Sequence, residues 1–182
     1  AAVTVGMVTS LAWILLSADT FEDLAAFELI SPESGAPVDA VLVGDLGDAW
    51  SYPLLNLAFR RLMEGAALVA INRNRYWRTE DGLSLDAGPF VAALEHAAGG
   101  TATVVGKPSR SFYESAVSAL GLAVGEVAMV GDDLEGDVAG AQRSGLRGVL
   151  VRTGKFREAD LARDVNPDRV LDSIADVPSL FD

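Results

Sequence analysis

The chain has 182 residues, half of them hydrophobic and 22% charged, which supports one sizeable globular domain or two small ones and excludes a disordered chain. A formal net charge of −12 leaves no basic stripe for a nucleic-acid partner, and zero cysteines remove disulfide and thiol chemistry without fixing a compartment. The apolar opening, residues 1–16, has no basic residue ahead of its apolar run and is too short to span a bilayer, so a soluble cytoplasmic protein with no membrane partner is expected.

In chain order, Leu11–Leu16 reads as a buried strand, followed by Asp19 and a short helical segment over Thr20–Phe27. Ser31–Pro37 is a Ser/Pro/Gly connection, and Val38–Val43 is a second strand ending at Gly44-Asp45. Ser51-Tyr52-Pro53 opens an amphipathic helix reaching about Glu64, with Ser at the cap and Pro in the first turn. Leu54, Leu57, Ala58, Leu62 and Met63 form its apolar face, Gly65 ends it, and Leu68–Ile71 is a third strand, giving a βαβ unit. Asn72–Asp86 is the most polar loop in the chain. It sets Arg73, Arg75 and Arg78 around Tyr76 and Trp77, either to recognise an anionic group or as an exposed hairpin with solvated arginines.

Gly88–Ala98 reads as a helix carrying His96, the single histidine, for which packing or surface exposure is the expected role. Thr103–Val105 is a strand ended by Gly106-Lys107-Pro108, and Ser109–Leu120 is a helix stopped by Gly121. Val127–Val130 is a short buried strand, Gly131 breaks it, and Asp132, Asp133 and Asp137 follow. A helix over Asp137–Ser144 stopped by Gly145, a strand over Gly148–Val151 and a short strand and helix from Val170 onward complete the chain. No internal repeat or low-complexity segment interrupts it.

Carboxylates just past the carboxyl end of a buried strand lie where open α/β sheets hold their ligands. Oxygen donors clustered there suit Mg²⁺, which takes one or two carboxylates together with water and substrate phosphate. The competing role is to cap the next helix, which accounts for one Asp but not for three. Lys107, at a strand end beside this acidic loop, can supply a fixed positive charge or can be an ordinary exposed turn lysine. Asp137 lies one helical turn beyond Asp133 on the same face, where it can orient Lys107 or a metal-bound water.

G-D-D-L-x-x-D after an apolar strand, with V-V-G-K-P at Val104–Pro108, resembles the haloacid-dehalogenase (HAD) superfamily of aspartate-nucleophile phosphatases. G-A-Q-R-S-G-L-R-G-V-L-V-R-T-G-K-F-R at Gly140–Arg157 narrows the resemblance to the branch with a large α/β cap, most similar to the phospholysine phosphohistidine inorganic pyrophosphate phosphatases. It implies a doubly wound, Rossmann-like parallel-sheet core with an α/β cap. Residues 1–100 would be the cap, with the junction between about 86 and 104, and residues 101–182 the C-terminal part of the core.

The resemblance also implies roles. Asp132 matches the Mg²⁺ ligand, with Asp133 as second ligand or water anchor. Lys107 matches the lysine that contacts phosphoryl oxygens and nucleophile, and the loop with Arg73, Arg75 and Arg78 matches the cap segment facing the active site. The family's D-x-D-G-T/V nucleophile motif does not occur, and neither does a Ser or Thr ending a second core strand. Ser17-Ala18-Asp19-Thr20 would put Ser in place of the nucleophile, so Leu11–Thr20 is assigned to the cap and the N-terminal core is expected to be absent.

The resulting expectation is a Mg²⁺-dependent phosphatase of a small phosphorylated molecule, phospho-amide or pyrophosphate, acting through an aspartyl-phosphate. The 182 residues alone would be inactive, and would be unstable or joined as a homo-oligomer through an open core edge at Thr103–Val105. The alternative is a non-catalytic chain that binds Mg²⁺ or phosphate, or serves as a partner subunit.

Overall fold

The structure, a computed structural model, describes residues 11–15, 24, 28–30 and 34–180. The expected helix over Thr20–Phe27 (apart from Leu24) and the Ser17–Thr20 segment with Asp19 lie outside the described residues. The chain divides into two compact units between Val105 and Gly106.

In the first unit the strands are β1 (Leu11–Leu15), β2 (Glu28–Ile30), β3 (Ala40–Val43), β4 (Ala67–Ala70), β5 (Tyr76–Thr79), β6 (Gly82–Leu85) and β7 (Thr103–Val104). Five of them form a parallel sheet in the order β2-β1-β3-β4-β7. Parallel neighbours need crossovers, which α1 (Tyr52–Met63) supplies between β3 and β4 and α2 (Ala87–Ala98) between β4 and β7. Ser51, in extended backbone, starts α1 by accepting the Leu54 N–H at 3.5 Å, and Pro53 fits the first turn. Asp86 starts α2 by accepting the Ala87 N–H at 2.6 Å, and Gly99, with φ 71°, ends it in the left-handed region. Val41 and Val43 from β3, Leu15 from β1, Ala58 from α1, and Val91 and Leu94 from α2 form one buried cluster. Each large aliphatic there contributes about 1.5–3 kcal/mol of burial free energy.

The polar stretch Asn72–Asp86 is an antiparallel hairpin, β5 with β6, in the register Tyr76↔Leu85, Trp77↔Ser84, Arg78↔Leu83. Tyr-Trp-Arg-Thr has high strand propensity, and Gly82 supplies the φ of 131° that closes the turn. Gly88 donates its N–H to the Asn74 carbonyl at 2.9 Å, and a Cβ there would overlap the Asn74 and Arg73 carbonyls. The loop ahead of the hairpin can therefore lie on the first turn of α2 only because position 88 is glycine.

One expectation is corrected. Thr103–Val104 pairs with β4 as the terminal strand of the five-stranded sheet, and Val105 continues the pairing through its N–H to Ala70 O at 2.9 Å. It is not the open edge of the core sheet, because the α2 crossover returns the chain to the neighbour of β4. The second unit has its own parallel sheet in the order β10-β9-β8, formed by β8 (Ala128–Gly131), β9 (Arg147–Val151) and β10 (Arg169–Leu171), in which β8 and β10 each pair on one side only among the described residues.

This unit also contains α3 (Arg110–Leu120), a π-helical turn over Leu134–Ala139 and α4 (Gly140–Arg143). The helix expected from Asp137 thus begins three residues earlier, in a wider turn. Val138 and Leu150 are fully buried against Leu134. A Cβ on Gly148 would come within 2.8 Å of Val138 Cγ1 and 3.0 Å of its carbonyl, so β9 approaches the turn as closely as backbone allows. Asp168 ties β10 to β9; the Gly148 N–H at 2.8 Å and the Gln142 amide at 3.0 Å hold its carboxyl below the usual range.

Tyr113 of α3 is 1% exposed, packs with Val127, Ala141 and Leu146, and donates its hydroxyl to the Gly136 carbonyl in the π-helical turn. Burial, and then the charges of Asp137 and Asp133, push its phenol up to about 12, against the lowering effect of Arg143. Among the described residues no helix is long and apolar enough to cross a membrane.

Two outcomes are expected in urea unfolding. Gly148→Ala lowers stability by about 1–3 kcal/mol through overpacking, whereas Gly125→Ala, with nothing within 4 Å of the added Cβ and no positive φ, is neutral or slightly stabilising. Equal effects would show that β9 does not pack closely on the turn at Gly148. Tyr113 further predicts an alkaline loss of stability. An unfolded tyrosine releases its proton near pH 10 while the folded one keeps it to about 12, so the stability present below pH 10 falls between those values. In Tyr113→Phe this part of the pH dependence should flatten, and an unchanged slope would contradict it.

Candidate functional site

The end of β8 shapes the site. Gly131 is its last residue, and a Cβ there would overlap the Asp137 carboxylate, so glycine lets that group lie directly over the strand. Asp137 is 3% exposed. Its Oδ1 accepts the Lys107 ammonium at 2.6 Å and its Oδ2 accepts the Asp133 N–H at 3.1 Å. A buried carboxylate with a lysine and a backbone N–H on its two oxygens is satisfied only in this arrangement. The lysine side chain remains 42% exposed, so its charge faces outward while Asp137 anchors it.

Asp133 acts as the cap. Its Oδ1 accepts the Glu135 and Gly136 N–H groups at 3.1 and 2.8 Å, which satisfies the first donors of the π-helical turn. Its Oδ2 lies 3.7 Å from the Lys155 ammonium. Asp132 caps nothing: Oδ2 accepts the Lys155 backbone N–H at 2.5 Å, and among the described residues no donor reaches Oδ1. Of the two roles weighed from sequence, the cap therefore falls to Asp133 alone, and Asp132 takes no part in it.

The described residues contain no group of three or more His, Cys, Asp or Glu side chains able to hold a metal ion. The donors at Asp132 and Asp133 do fit a Mg²⁺ site of the kind that uses one or two carboxylates and completes its shell with water and phosphate oxygens.

Lys107, Asp132, Asp133 and Asp137 are thus brought together at the carboxyl end of β8. Arg73 and Arg75 belong to the first unit. Arg73 pairs with Glu95 at 2.6 Å, and the Arg75 guanidinium lies 5.6 Å from the centre of the Tyr76 ring. The Arg78 side chain lies outside the described residues, its backbone pairing with Leu83. His96 is exposed on α2. Sequence reasoning missed Tyr113, Gly154 and Lys155 as neighbours of the site. The one local signal was the T-G-K tripeptide after β9, where glycine before lysine marks a turn.

Residues 104–177 match the HAD-hydrolase-like family. Over 146 residues the chain is 43% identical to phospholysine phosphohistidine inorganic pyrophosphate phosphatase of Homo sapiens, covering 79% of this chain and 54% of that protein. The p-nitrophenyl phosphatase from Archaeoglobus fulgidus superposes with a TM-score of 0.84 at 28% identity, over 94% of this chain and 67% of that one. Glycerol phosphate phosphatase from Mycobacterium tuberculosis, solved in complex with magnesium, gives 0.78 at 28% identity, over 88% and 49%. The chain spans about half the length of the curated relatives it matches. The matched segment contains both Gly106-Lys107-Pro108 and the Gly131–Asp137 loop, so in this part the chain is similar to the HAD-like hydrolases, and it shares the α/β fold of the phosphatases it superposes on.

Proposed function

We propose that this chain forms part of a Mg²⁺-dependent phosphatase that cleaves the phosphorus–oxygen or phosphorus–nitrogen bond of a small phosphorylated molecule. The observation that carries this reading is the Lys107–Asp137 pair standing beside Asp132 at the end of β8. A buried carboxylate that fixes a half-exposed lysine next to an open carboxylate oxygen is a preorganised arrangement for binding a phosphoryl group with its cation. Phosphatases among the relatives and structural neighbours support the same reaction class, as does the magnesium in one of them.

In this proposal Asp132 holds the cation through Oδ1, with Asp133 anchoring through water. The cation, when bound, neutralises phosphate charge. Lys107 binds phosphoryl oxygens, and Asp137 keeps its ammonium in place throughout. Residues up to Val105 act as the cap and the remainder as the C-terminal part of the core. Arg73, Arg75 and Arg78 belong, by resemblance, to the cap segment that recognises the rest of the substrate. By resemblance the phosphoryl group passes to an aspartate of a D-x-D-G motif, which these 182 residues do not contain.

Three measurements follow. Purified as these 182 residues, the chain should show no turnover of p-nitrophenyl phosphate with Mg²⁺; measurable turnover would move the nucleophile to a residue of this sequence. Mg²⁺ should raise the Tm of the chain by mass action on the folded state. Asp132→Asn should lose that response, and Asp133→Asn should keep part of it; an intact response in Asp132→Asn rules out the ligand assignment. Arg75→Ala should weaken binding of a phosphorylated amino acid several-fold and leave orthophosphate, which has nothing beyond the phosphoryl group to recognise, unaffected. Equal changes for both would leave the hairpin arginines as solvated surface.

A further inference from the structure

Thr153-Gly154-Lys155, the turn that follows β9, touches both aspartates at the end of β8. We propose that this turn positions the cation ligands: Gly154 and the Lys155 N–H select which oxygen of Asp132 faces the cation, and the Lys155 ammonium sets how tightly the cation is held. This rests on the reading of Asp132 as the ligand.

Three observations within the second unit carry it. The Lys155 N–H is bonded to Asp132 Oδ2 at 2.5 Å, which commits that oxygen and leaves Oδ1 without a donor among the described residues. Gly154 has φ 54°, a conformation that side chains rarely adopt, and a Cβ on it would overlap Asp132 Oδ2. The glycine is therefore fixed twice, by its backbone and by the carboxylate against it. The Lys155 ammonium, 45% exposed, lies 3.7 Å from Asp133 Oδ2.

A carboxylate oxygen already bonded to a backbone N–H is a poor partner for a cation, so Asp132 is restricted to one-oxygen coordination. That suits Mg²⁺, whose near-octahedral shell disfavours a chelating carboxylate. Lys155 acts in the opposite sense. Its charge offsets that of Asp133 before the cation arrives and repels the cation once it is there, so it lowers affinity while keeping two adjacent acids compatible. Neither residue meets the phosphoryl group in this account; both are positioning residues.

The test is equilibrium binding of Mg²⁺ alone to the purified chain, by calorimetry and by Mg²⁺-dependent Tm, in Gly154→Ala, Lys155→Met and Lys155→Arg. Gly154→Ala should weaken Mg²⁺ at least tenfold. Lys155→Met, which keeps the backbone N–H, should tighten it several-fold, and Lys155→Arg should match wild type. A turn with a merely structural role would shift the metal-free Tm without moving affinity in opposite directions. If Gly154→Ala does not fold, the Lys155 pair decides alone: equal Mg²⁺ affinity in Lys155→Met, Lys155→Arg and wild type overturns the proposal. Asp132→Asn separates the two levels. If that variant binds Mg²⁺ as wild type does, the ligand reading fails; if it loses Mg²⁺ while the turn variants change nothing, only the present inference fails.

Discussion

Everything at the carboxyl end of β8 depends on one buried charge. Asp137 is withdrawn from water, and a buried carboxylate is costly unless its oxygens are engaged. Lys107 and the Asp133 N–H engage them. The consequences spread outward in order. Gly131 must be glycine to leave room, Asp133 must present its N–H inward and so places its side chain as the cap, and the π-helical turn starts where that cap sits. Lys107 is held by a partner that cannot leave, while its exposed side keeps the positive charge available.

The same frame explains why two adjacent aspartates do different work. Asp133 spends one oxygen on two helix donors, so it contributes chiefly to the start of the turn. Asp132 has no helix donor to satisfy and is steadied from outside by the backbone after β9. Tyr113 closes the arrangement from beneath, its hydroxyl on the Gly136 carbonyl, which couples α3 to the turn. A site of this kind is made rigid by small residues at close approaches, Gly131, Gly140, Gly148 and Gly154, rather than by large side chains.

Much of this was legible in the sequence. The apolar runs of β1, β3, β4 and β9, and the capped helices α1 and α2, follow from period and punctuation, and the Gly-Asp-Asp cluster marked the site because three acids exceed what one helix start can use. Three features were not legible. Glu28–Ile30 is three residues long, too short for a period to register. Membership of β7 in the first sheet depends on where a crossover lands, which local sequence does not encode. The contact of Lys155 with Asp132 joins residues 23 apart in the chain through a backbone N–H, a group every residue but proline carries, so no side-chain pattern announces it. The Lys107–Asp137 pair was legible, because Asp137 follows Asp133 by one helical turn beside the strand end that carries Lys107.

If Lys107, Asp137 and Asp132 form one site for a phosphoryl group and its cation, binding of the two must be linked. Orthophosphate binding to the purified chain can be titrated by calorimetry with and without Mg²⁺, in wild type and in Lys107→Met. If the groups share a site, Mg²⁺ raises phosphate affinity, phosphate raises Mg²⁺ affinity by the same factor, and Lys107→Met loses phosphate binding while retaining Mg²⁺. Phosphate affinity that is the same with and without Mg²⁺, or unchanged in Lys107→Met, would contradict the account.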